Sequence, residues 1–341
     1  MTYKYNNVYI KDTEVIVGKN EKEGPLKKYF NNYYEDFYMN EKTWEQAEMR
    51  MVKDTVSALC NRNKVDLLIA GDLLNQLSAS SFAASEFNIP FMGIYNACAT
   101  SVEGIAIAAN FIEAKINKNI IVNVSSHNNA AEKQFRYPVE YGGPKPKCTT
   151  FTVTGSAGAL ISNSGKIKVE SITLGKVIDY GIKDAYEIGA VMAPAAASVI
   201  NEHLKDLQRD ITYYDLVLTG DLGECGKHIL KDFIKQEYGI NLNKYNDTAT
   251  MIYDIQKQSV YSGGSGPACA PLVTYTYIFE EMKKGNLNKV LLVATGSLHS
   301  TTSVNQHQTI PAIAHAISLE VNEWFILMHF YFQDLYVLLV N

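Results

Sequence analysis

The chain has 341 residues, of which 47% are hydrophobic and 20% are charged, as is ordinary for a globular protein. Its net charge of −5, without basic runs interleaved with aromatic residues, gives no reason to expect a nucleic-acid partner. The five cysteines lack paired CxxC spacing, which indicates neither a disulfide framework nor a zinc site. The N-terminus has no apolar signal-like core. Together these features favour a reducing, intracellular location.

The first predicted elements are a strand, a helix and a second strand. The first strand is Glu14–Gly18, and the helix runs from Glu41 to about Cys60. The second strand ends just before Asp72. Asp72 would then lie at the carboxyl edge of a parallel strand, where such sheets bind ligands. Capping of the next helix is the alternative role.

Cys98 follows the apolar run Ile89–Tyr95, and small residues after it open a helix from Val102 to about Ile116. A helix N-terminus favours a thiolate and a bound anion. Cys98 is therefore a candidate nucleophile or ligand contact, and a small buried residue at a tight helix start is the alternative. His127 ends the next strand, where it would either activate the thiol as a base or bond to the backbone.

A long loop and two further strands are predicted to complete the first half. Residues 128–150 are punctuated by Pro and Gly, and loops of this length inside compact domains tend to be functional. Thr152–Ile161 and Ile167–Thr173 are then predicted to pair as an antiparallel hairpin.

The second half of the chain repeats the first. Its first elements are predicted to be a strand at Lys176–Asp179 and a helix from Pro194 to about Leu207. The matched segments are Lys64–Leu73 with Tyr213–Leu222, Ala97–Ala99 with Ala268–Ala270, and Ser126–His127 with Leu298–His299. Cys98 lies 29 residues before His127, and Cys269 lies 30 before His299. Cys269 and His299 are interpreted as structural counterparts.

We therefore predict two fused β-α-β-α-β halves, residues 1–175 and 176–320. Residues 321–341 form an apolar tail, for which an added segment, an interfacial helix and a membrane span are the alternatives. Asp334 counts against a span, because an Asp at a helix centre costs about 2.5 to 3.5 kcal/mol on insertion.

The duplication, with Cys98 at a helix start, resembles the thiolase/ketoacyl synthase superfamily. The resemblance implies an α/β fold of five layers (αβαβα) and a homodimer. In the superfamily's enzymes the cysteine is acylated and works with two His, or a His and an Asn, from the second half. This chain has Thr219–Leu222 and Ser262–Pro267 at those places. Because base and oxyanion donors are missing, we do not expect an enzyme.

A closer resemblance, from about residue 8 to residue 320, is to the stage V sporulation protein AD family. It rests on Glu41–Glu45, Ala70–Gln76, Ser125–Asn128, Glu132–Pro138, Glu140–Gly143 and Ile310–His315. It implies non-enzymatic binding of dipicolinic acid (pyridine-2,6-dicarboxylate), with calcium, in sporulation and germination. It also implies membrane-embedded SpoVA partners that move this ligand across the spore inner membrane. We expect a peripheral protein at the forespore or spore inner membrane, without cofactor or metal site.

The ligand-binding residues that we predict surround the helix start. They are Asp72, Asn75, Cys98, Thr100, Ser101, His127 and Ser262. A planar dianion suits a helix N-terminus. Asp72 would repel a bare dicarboxylate, so calcium binding, a bound proton and the ordering of donors stay open as its roles. An acyltransferase using Cys98 and a structural partner with a vestigial pocket are the competing hypotheses.

Overall fold

The computed structural model describes residues 1–136 and 145–322. The strands are β1 (Thr2–Lys4), β2 (Tyr9–Val17), β3 (Leu67–Gly71), β4 (Phe91–Gly93), β5 (Asn119–Ser126), β6 (Phe151–Thr152), β7 (Gly155–Ser162), β8 (Ile167–Leu174), β9 (Leu216–Thr219), β10 (Tyr245–Asp247), β11 (Gly264–Ser265), β12 (Lys289–Ser297) and β13 (Ala312–Val321). The helices are α1 (Lys19–Lys22), α2 (Trp44–Arg62), α3 (Ser78–Ala84), α4 (Thr100–Glu113), α5 (Asn128–Arg136), α6 (Ile188–Leu207), α7 (Gly223–Tyr238), α8 (Thr248–Ile252), α9 (Cys269–Val273), α10 (Phe279–Lys283) and α11 (Thr301–Asn305). A π-helical turn, Thr274–Ile278, joins α9 to α10.

Ten strands form two sheet halves with the same topology. The first half has the order β4-β3-β5-β7-β2 and the second the order β10-β9-β12-β13-β8. In each half, taken in this order, the first three strands run parallel to one another. Each of the last two runs antiparallel to the strand before it. The halves join where Tyr9 and Ile10 of β2 pair with Lys168 and Ile167 of β8. The predicted duplication is therefore present in the strand topology.

The position of β8 differs from the sequence-based prediction. The prediction that the strands at 152–161 and 167–173 form a hairpin was wrong, because β2 lies between β7 and β8 in the sheet. β8 is instead the counterpart of β2, so the topological repeat divides between Ser162 and Ile167 rather than at residue 175. The strand predicted at Lys176–Asp179 is reduced to a single bridge from Ile178 to Ala312.

Helices cover both faces of each sheet half. On the first half, α2 packs against β2, β5 and β7, and on the second, α6 packs against β8, β12 and β13. Between the halves, α4 contacts β3, β5 and β7 on one side and β8, β12 and β13 on the other. Its apolar side chains Val102, Ile105 and Ile112 are buried in the central core. Each such burial is worth about 1.5 to 3 kcal/mol. This arrangement places the N-terminus of α4 at the junction of the two halves.

Helix limits also differ from the predicted ones. Capped by the Thr43 side chain, α2 begins at Trp44 rather than Glu41, and α4 begins two residues earlier than expected. Six residues of α6 precede Pro194, which lies inside the helix. The predicted loop 128–150 begins with α5, and its residues 137–144 lie outside the described part of the chain. Of the predicted tail, only residues 321 and 322 are described.

The absence of a disulfide was a wrong prediction. Cys148 and Cys225 are disulfide-bonded, with their Cα atoms 5.7 Å apart, although 77 positions separate them in the sequence. Spacing in the sequence carries no signal for such a pair, because the loop before β6 and the first turn of α7 meet only in the folded chain. The other three cysteines are free thiols.

Within residues 1–136 and 145–322, the helices are too short or too polar to cross a bilayer.

Candidate functional site

Cys98 lies in a tight turn between β4 and α4. The turn places Ala97 in the left-handed region, with φ of 49°. The Thr100 hydroxyl holds this conformation, since it donates to the carbonyl oxygen of Ala97 at 2.6 Å and accepts from the Asn96 N–H at 2.9 Å. Gly296 of β12 passes so close that a Cβ there would lie 2.6 Å from the Asn96 carbonyl oxygen. The cysteine is therefore held where the two halves of the protein meet.

Asp221, from the second half, is a buried residue whose charge acts on the Cys98 thiol. Its carboxylate accepts hydrogen bonds from the Thr295 hydroxyl at 2.7 Å and from the Gly266 N–H at 3.2 Å. The negative charge of this carboxylate also acts on the Cys98 thiol. Burial raises the pKa of Asp221 to about 7, against the effect of these hydrogen bonds.

The thiol of Cys98 is held in its neutral form. Desolvation within the protein, followed by the negative charge of Asp221, raises its pKa well above the ordinary value. The sequence predicts that the helix N-terminus favours the thiolate, but desolvation and the nearby Asp221 carboxylate outweigh that effect. Because the thiolate is the reactive species, Cys98 is a poor nucleophile and a hydrogen-bond donor in this arrangement.

A cavity of about 420 Å³ opens in front of Cys98, a size that suits a small molecule. Polar and aromatic side chains from both halves line it, namely Tyr95, Glu132, Phe135, Thr149, Thr150, Tyr186, Ser297, His299 and Asn305. The rings of Phe135 and His299 lie 5.4 Å apart and are tilted by 34°. Glu132, the acidic residue in this described lining, is paired with Lys145 at 2.7 Å.

Several donors in the cavity wall are neutral hydroxyls. The buried hydroxyl oxygens of Thr149 and Ser297 have no hydrogen-bond partner among the described residues. Burial raises the pKa of Tyr95 to about 12, so its phenol keeps its proton at neutral pH. Because buried polar groups are normally hydrogen-bonded, rotation of either side chain into the cavity would give its hydroxyl a partner in a bound polar molecule.

The sequence of this chain matches one protein family over nearly the whole described length. The family model for stage V sporulation protein AD (SpoVAD) matches residues 2–320. Stage V sporulation protein AD of Bacillus subtilis (strain 168) is 43% identical over 320 residues, covering 92% of this chain and 94% of that protein. The chain belongs to the SpoVAD family.

Solved structures show that this SpoVAD-family chain has a thiolase-like fold. 3-Oxoacyl-[acyl-carrier-protein] synthase III from Aquifex aeolicus VF5 is similar with a TM-score of 0.55 and 15% identity, over 92% of this chain and 99% of that one. A variant of OleA from Xanthomonas campestris gives a TM-score of 0.55 and 14% identity, over 93% and 99% of the two chains. At these identities the likeness concerns the fold alone.

Of the seven predicted site residues, Cys98 lines the cavity and three others support its surroundings. Thr100 holds the turn before α4, as described above. Ser101 is buried in the first turn of the same helix, and its hydroxyl has no partner among the described residues. The Ser262 hydroxyl accepts from the Cys225 N–H at 3.1 Å, behind the cavity wall. The ligand contacts assigned to these residues stay predictions.

The other three predicted residues lie elsewhere in this SpoVAD-family fold. The Asp72 carboxylate accepts from the N–H groups of Leu74 and Ser80, both at 2.8 Å. These bonds correspond to the capping role, which was the alternative to ligand binding for Asp72. Asn75 borders a separate surface depression and is not among the cavity residues. His127 is buried and donates from Nε2 to the Phe37 carbonyl oxygen at 2.8 Å. Burial lowers the pKa of His127.

The residues that sequence reasoning missed are mostly the second-half counterparts of those it chose. The charge of Asp221, not that of its counterpart Asp72, acts on the Cys98 thiol, and His299, not its counterpart His127, lines the cavity. The duplication predicted both pairs, but it could not say which member faces Cys98. No group of three or more His, Cys, Asp or Glu side chains within residues 1–136 and 145–322 is placed to hold a metal ion.

Proposed function

We propose that the chain binds pyridine-2,6-dicarboxylate (dipicolinic acid) in the cavity in front of Cys98, without catalysing a reaction. The observation that carries this proposal is a cavity with unpartnered hydroxyls and a neutral thiol. Carboxylate oxygens accept hydrogen bonds from such donors, and a flat ring fits beside Phe135 and His299. Membership of the SpoVAD family supports a role in sporulation.

We further propose that the chain acts with membrane-embedded SpoVA proteins that move the ligand, with calcium, across the spore inner membrane. In this role it would be a peripheral subunit at the forespore or spore inner membrane. The cavity offers neutral donors and the Glu132–Lys145 ion pair to a ligand. Two forms of the ligand are therefore to be compared, the free dianion and its calcium chelate.

Isothermal titration of the full chain with pyridine-2,6-dicarboxylate, with and without calcium, tests the binding. We expect saturable binding of one ligand per chain. Ser297→Ala should weaken it about tenfold, because it removes a hydrogen bond to a charged group. Asn75→Ala is the matched control, since Asn75 lies outside the cavity, and it should bind as the unmodified chain does. No saturable binding under either condition would refute the proposed function.

Acyl transfer by Cys98 is the second candidate, favoured by a partly exposed cysteine in the cavity of a fold shared with ketoacyl synthases. Incubation with acyl-CoA followed by mass spectrometry of the intact chain tests it. Desolvation and the charge of Asp221 raise the pKa of the Cys98 thiol, so we expect no acylated Cys98. A stable thioester on Cys98 would overturn the non-enzymatic proposal.

A further inference from the structure

The Cys148–Cys225 disulfide lies at the wall of the cavity. Cys148 directly precedes Thr149 and Thr150, which both line the cavity. Cys225 belongs to the first turn of α7, in the second half of the protein. The bond therefore joins a cavity-lining segment of the first half to a helix of the second.

Hydrogen bonds through one intermediate residue reinforce the same junction. The Ser262 N–H donates to the Thr149 carbonyl oxygen at 2.9 Å, and the Ser262 hydroxyl accepts from the Cys225 N–H at 3.1 Å. The Ser262 carbonyl oxygen accepts from the Glu224 N–H at 2.7 Å. These contacts connect the wall segment to the N-terminus of α7 by the route that the disulfide spans covalently.

The residues at this junction are tightly packed. Gly223, with φ of 69°, begins α7, and a Cβ there would lie 2.7 Å from the Ser262 hydroxyl and 3.0 Å from the Thr150 methyl group. Movement of the wall segment away from α7 would therefore break the Ser262 hydrogen bonds and shift Thr149 and Thr150 together. Their positions set the shape of the cavity on this side.

We propose that the Cys148–Cys225 disulfide is a redox-controlled clamp that orders the Thr149–Thr150 wall and thereby sets the affinity of the cavity for its ligand. The inference rests on the proposed function for the identity of that ligand. Both cysteines act on the cavity only through the wall segment that they hold.

The chemistry of the clamp is thiol–disulfide exchange with a dithiol reductant. One thiolate of the dithiol attacks Cys148 or Cys225 and breaks the S–S bond, giving a mixed disulfide and one released cysteine thiolate, which takes up a proton. The second thiol of the reductant then displaces the other cysteine. The dithiol ends as a cyclic disulfide, and both cysteines end as thiols after a two-electron reduction. Both cysteines are partly exposed, so a small dithiol can reach them.

The experiment compares the oxidised full chain with the same chain after treatment with dithiothreitol and removal of the reagent under anaerobic conditions. Alkylation under denaturing conditions should modify the three free cysteines of the oxidised chain and all five of the reduced chain. Two quantities are then measured, the dissociation constant for pyridine-2,6-dicarboxylate and the hydrogen exchange of the amides from Thr149 to Val153.

We expect reduction to weaken ligand binding about tenfold. This follows if the wall is ordered in about a tenth of the reduced molecules. Exchange at the wall amides should become faster, and reoxidation should restore both values. The Cys148→Ser/Cys225→Ser double variant should behave as the reduced chain and ignore dithiothreitol. Cys60→Ser, a free cysteine of α2 away from the cavity, should respond to reduction as the unmodified chain does.

Unchanged affinity and unchanged exchange after verified reduction would overturn the clamp and leave the proposed function intact. Equal affinity with faster exchange would also overturn it, because the wall would then not control binding. If neither state binds the ligand, the proposed function fails instead. The exchange rates then decide whether the disulfide orders the wall, and unchanged rates refute it.

Discussion

Glu21 gives the sharpest test of the electrostatics in this fold. Its side chain is fully buried between the two halves of the protein. One carboxylate oxygen accepts from the Thr154 N–H at 2.9 Å and from the Tyr253 hydroxyl, and the other has no partner among the described residues. Desolvation raises the pKa of this carboxyl from 4.5 to about 7, although the hydrogen bonds act in the opposite direction.

The raised pKa makes folding more favourable at low pH. The folded chain holds a proton on Glu21 that the unfolded chain releases above its ordinary pKa. The stabilisation is therefore complete below pH 4.5 and is lost as the pH rises through about 7. One pKa unit corresponds to about 1.4 kcal/mol, so this group removes about 2 to 3 kcal/mol of unfolding free energy between about pH 5 and pH 8.

Glu21→Gln removes this titration while it keeps an oxygen that can accept from Thr154 and Tyr253. Urea unfolding of both proteins at a series of pH values measures the free energy of unfolding by linear extrapolation. We expect the difference between the two curves to change by about 2 to 3 kcal/mol between about pH 5 and pH 8, in favour of the variant at high pH. Glu23→Gln, which changes an exposed carboxylate two residues away, should leave the pH dependence as it is.

Parallel stability curves for the unmodified chain and Glu21→Gln would refute the reasoning. The absolute stability of the variant is not the test, because its new N–H group also needs a partner, and an unpartnered buried donor costs about 1 to 3 kcal/mol at every pH. That cost shifts a whole curve, whereas the titration of Glu21 changes its slope.

Two further predictions concern the turn that holds Cys98. Iodoacetamide should alkylate Cys98 slowly at neutral pH, and Asp221→Asn should accelerate the reaction, because the carboxylate no longer disfavours the thiolate. Mass spectrometry of the modified peptide measures both rates, and equal rates would contradict the electrostatic effect assigned to Asp221. Gly296→Ala should lower the unfolding free energy by about 1 to 3 kcal/mol, since its Cβ would lie 2.6 Å from the Asn96 carbonyl oxygen. In Gly93→Ala the three atoms nearest to the new methyl group belong to side chains, so thermal unfolding should be affected less. An equal loss in both variants would be inconsistent with this account.

The duplication explains how much of the fold was predictable. Matched strands, helices and cysteines in the two halves predicted the repeated topology and the helix start at Cys98. The pairing of β8 was not predictable from the local pattern, because β7 and β8 follow each other in the sequence as hairpin strands do. The N-terminal strand β2 lies between them, through contacts that are distant in sequence.

The site was less predictable for the same physical reason. A repeat supplies two chemically similar candidates for each position, and only long-range packing decides which one faces the cavity. His127 is turned to the Phe37 carbonyl oxygen, whereas His299 lies against Phe135 in the cavity wall. The Cys148–Cys225 pair was missed because its two segments have no relation in spacing or composition and meet only after the halves assemble.

Asp221 links the duplication to the chemistry of the site. Its negative charge acts on both repeated cysteines, Cys98 and Cys269, and for each the desolvation and then this carboxylate raise the thiol pKa well above the ordinary value. A catalytic site of this geometry would need a base or a cation beside the sulfur, which lowers the thiol pKa. An acidic group at the same place keeps both sulfurs protonated. The carboxylate therefore disfavours the thiolate that covalent attack would need, and the protonated Cys98 thiol can donate a hydrogen bond to a bound molecule.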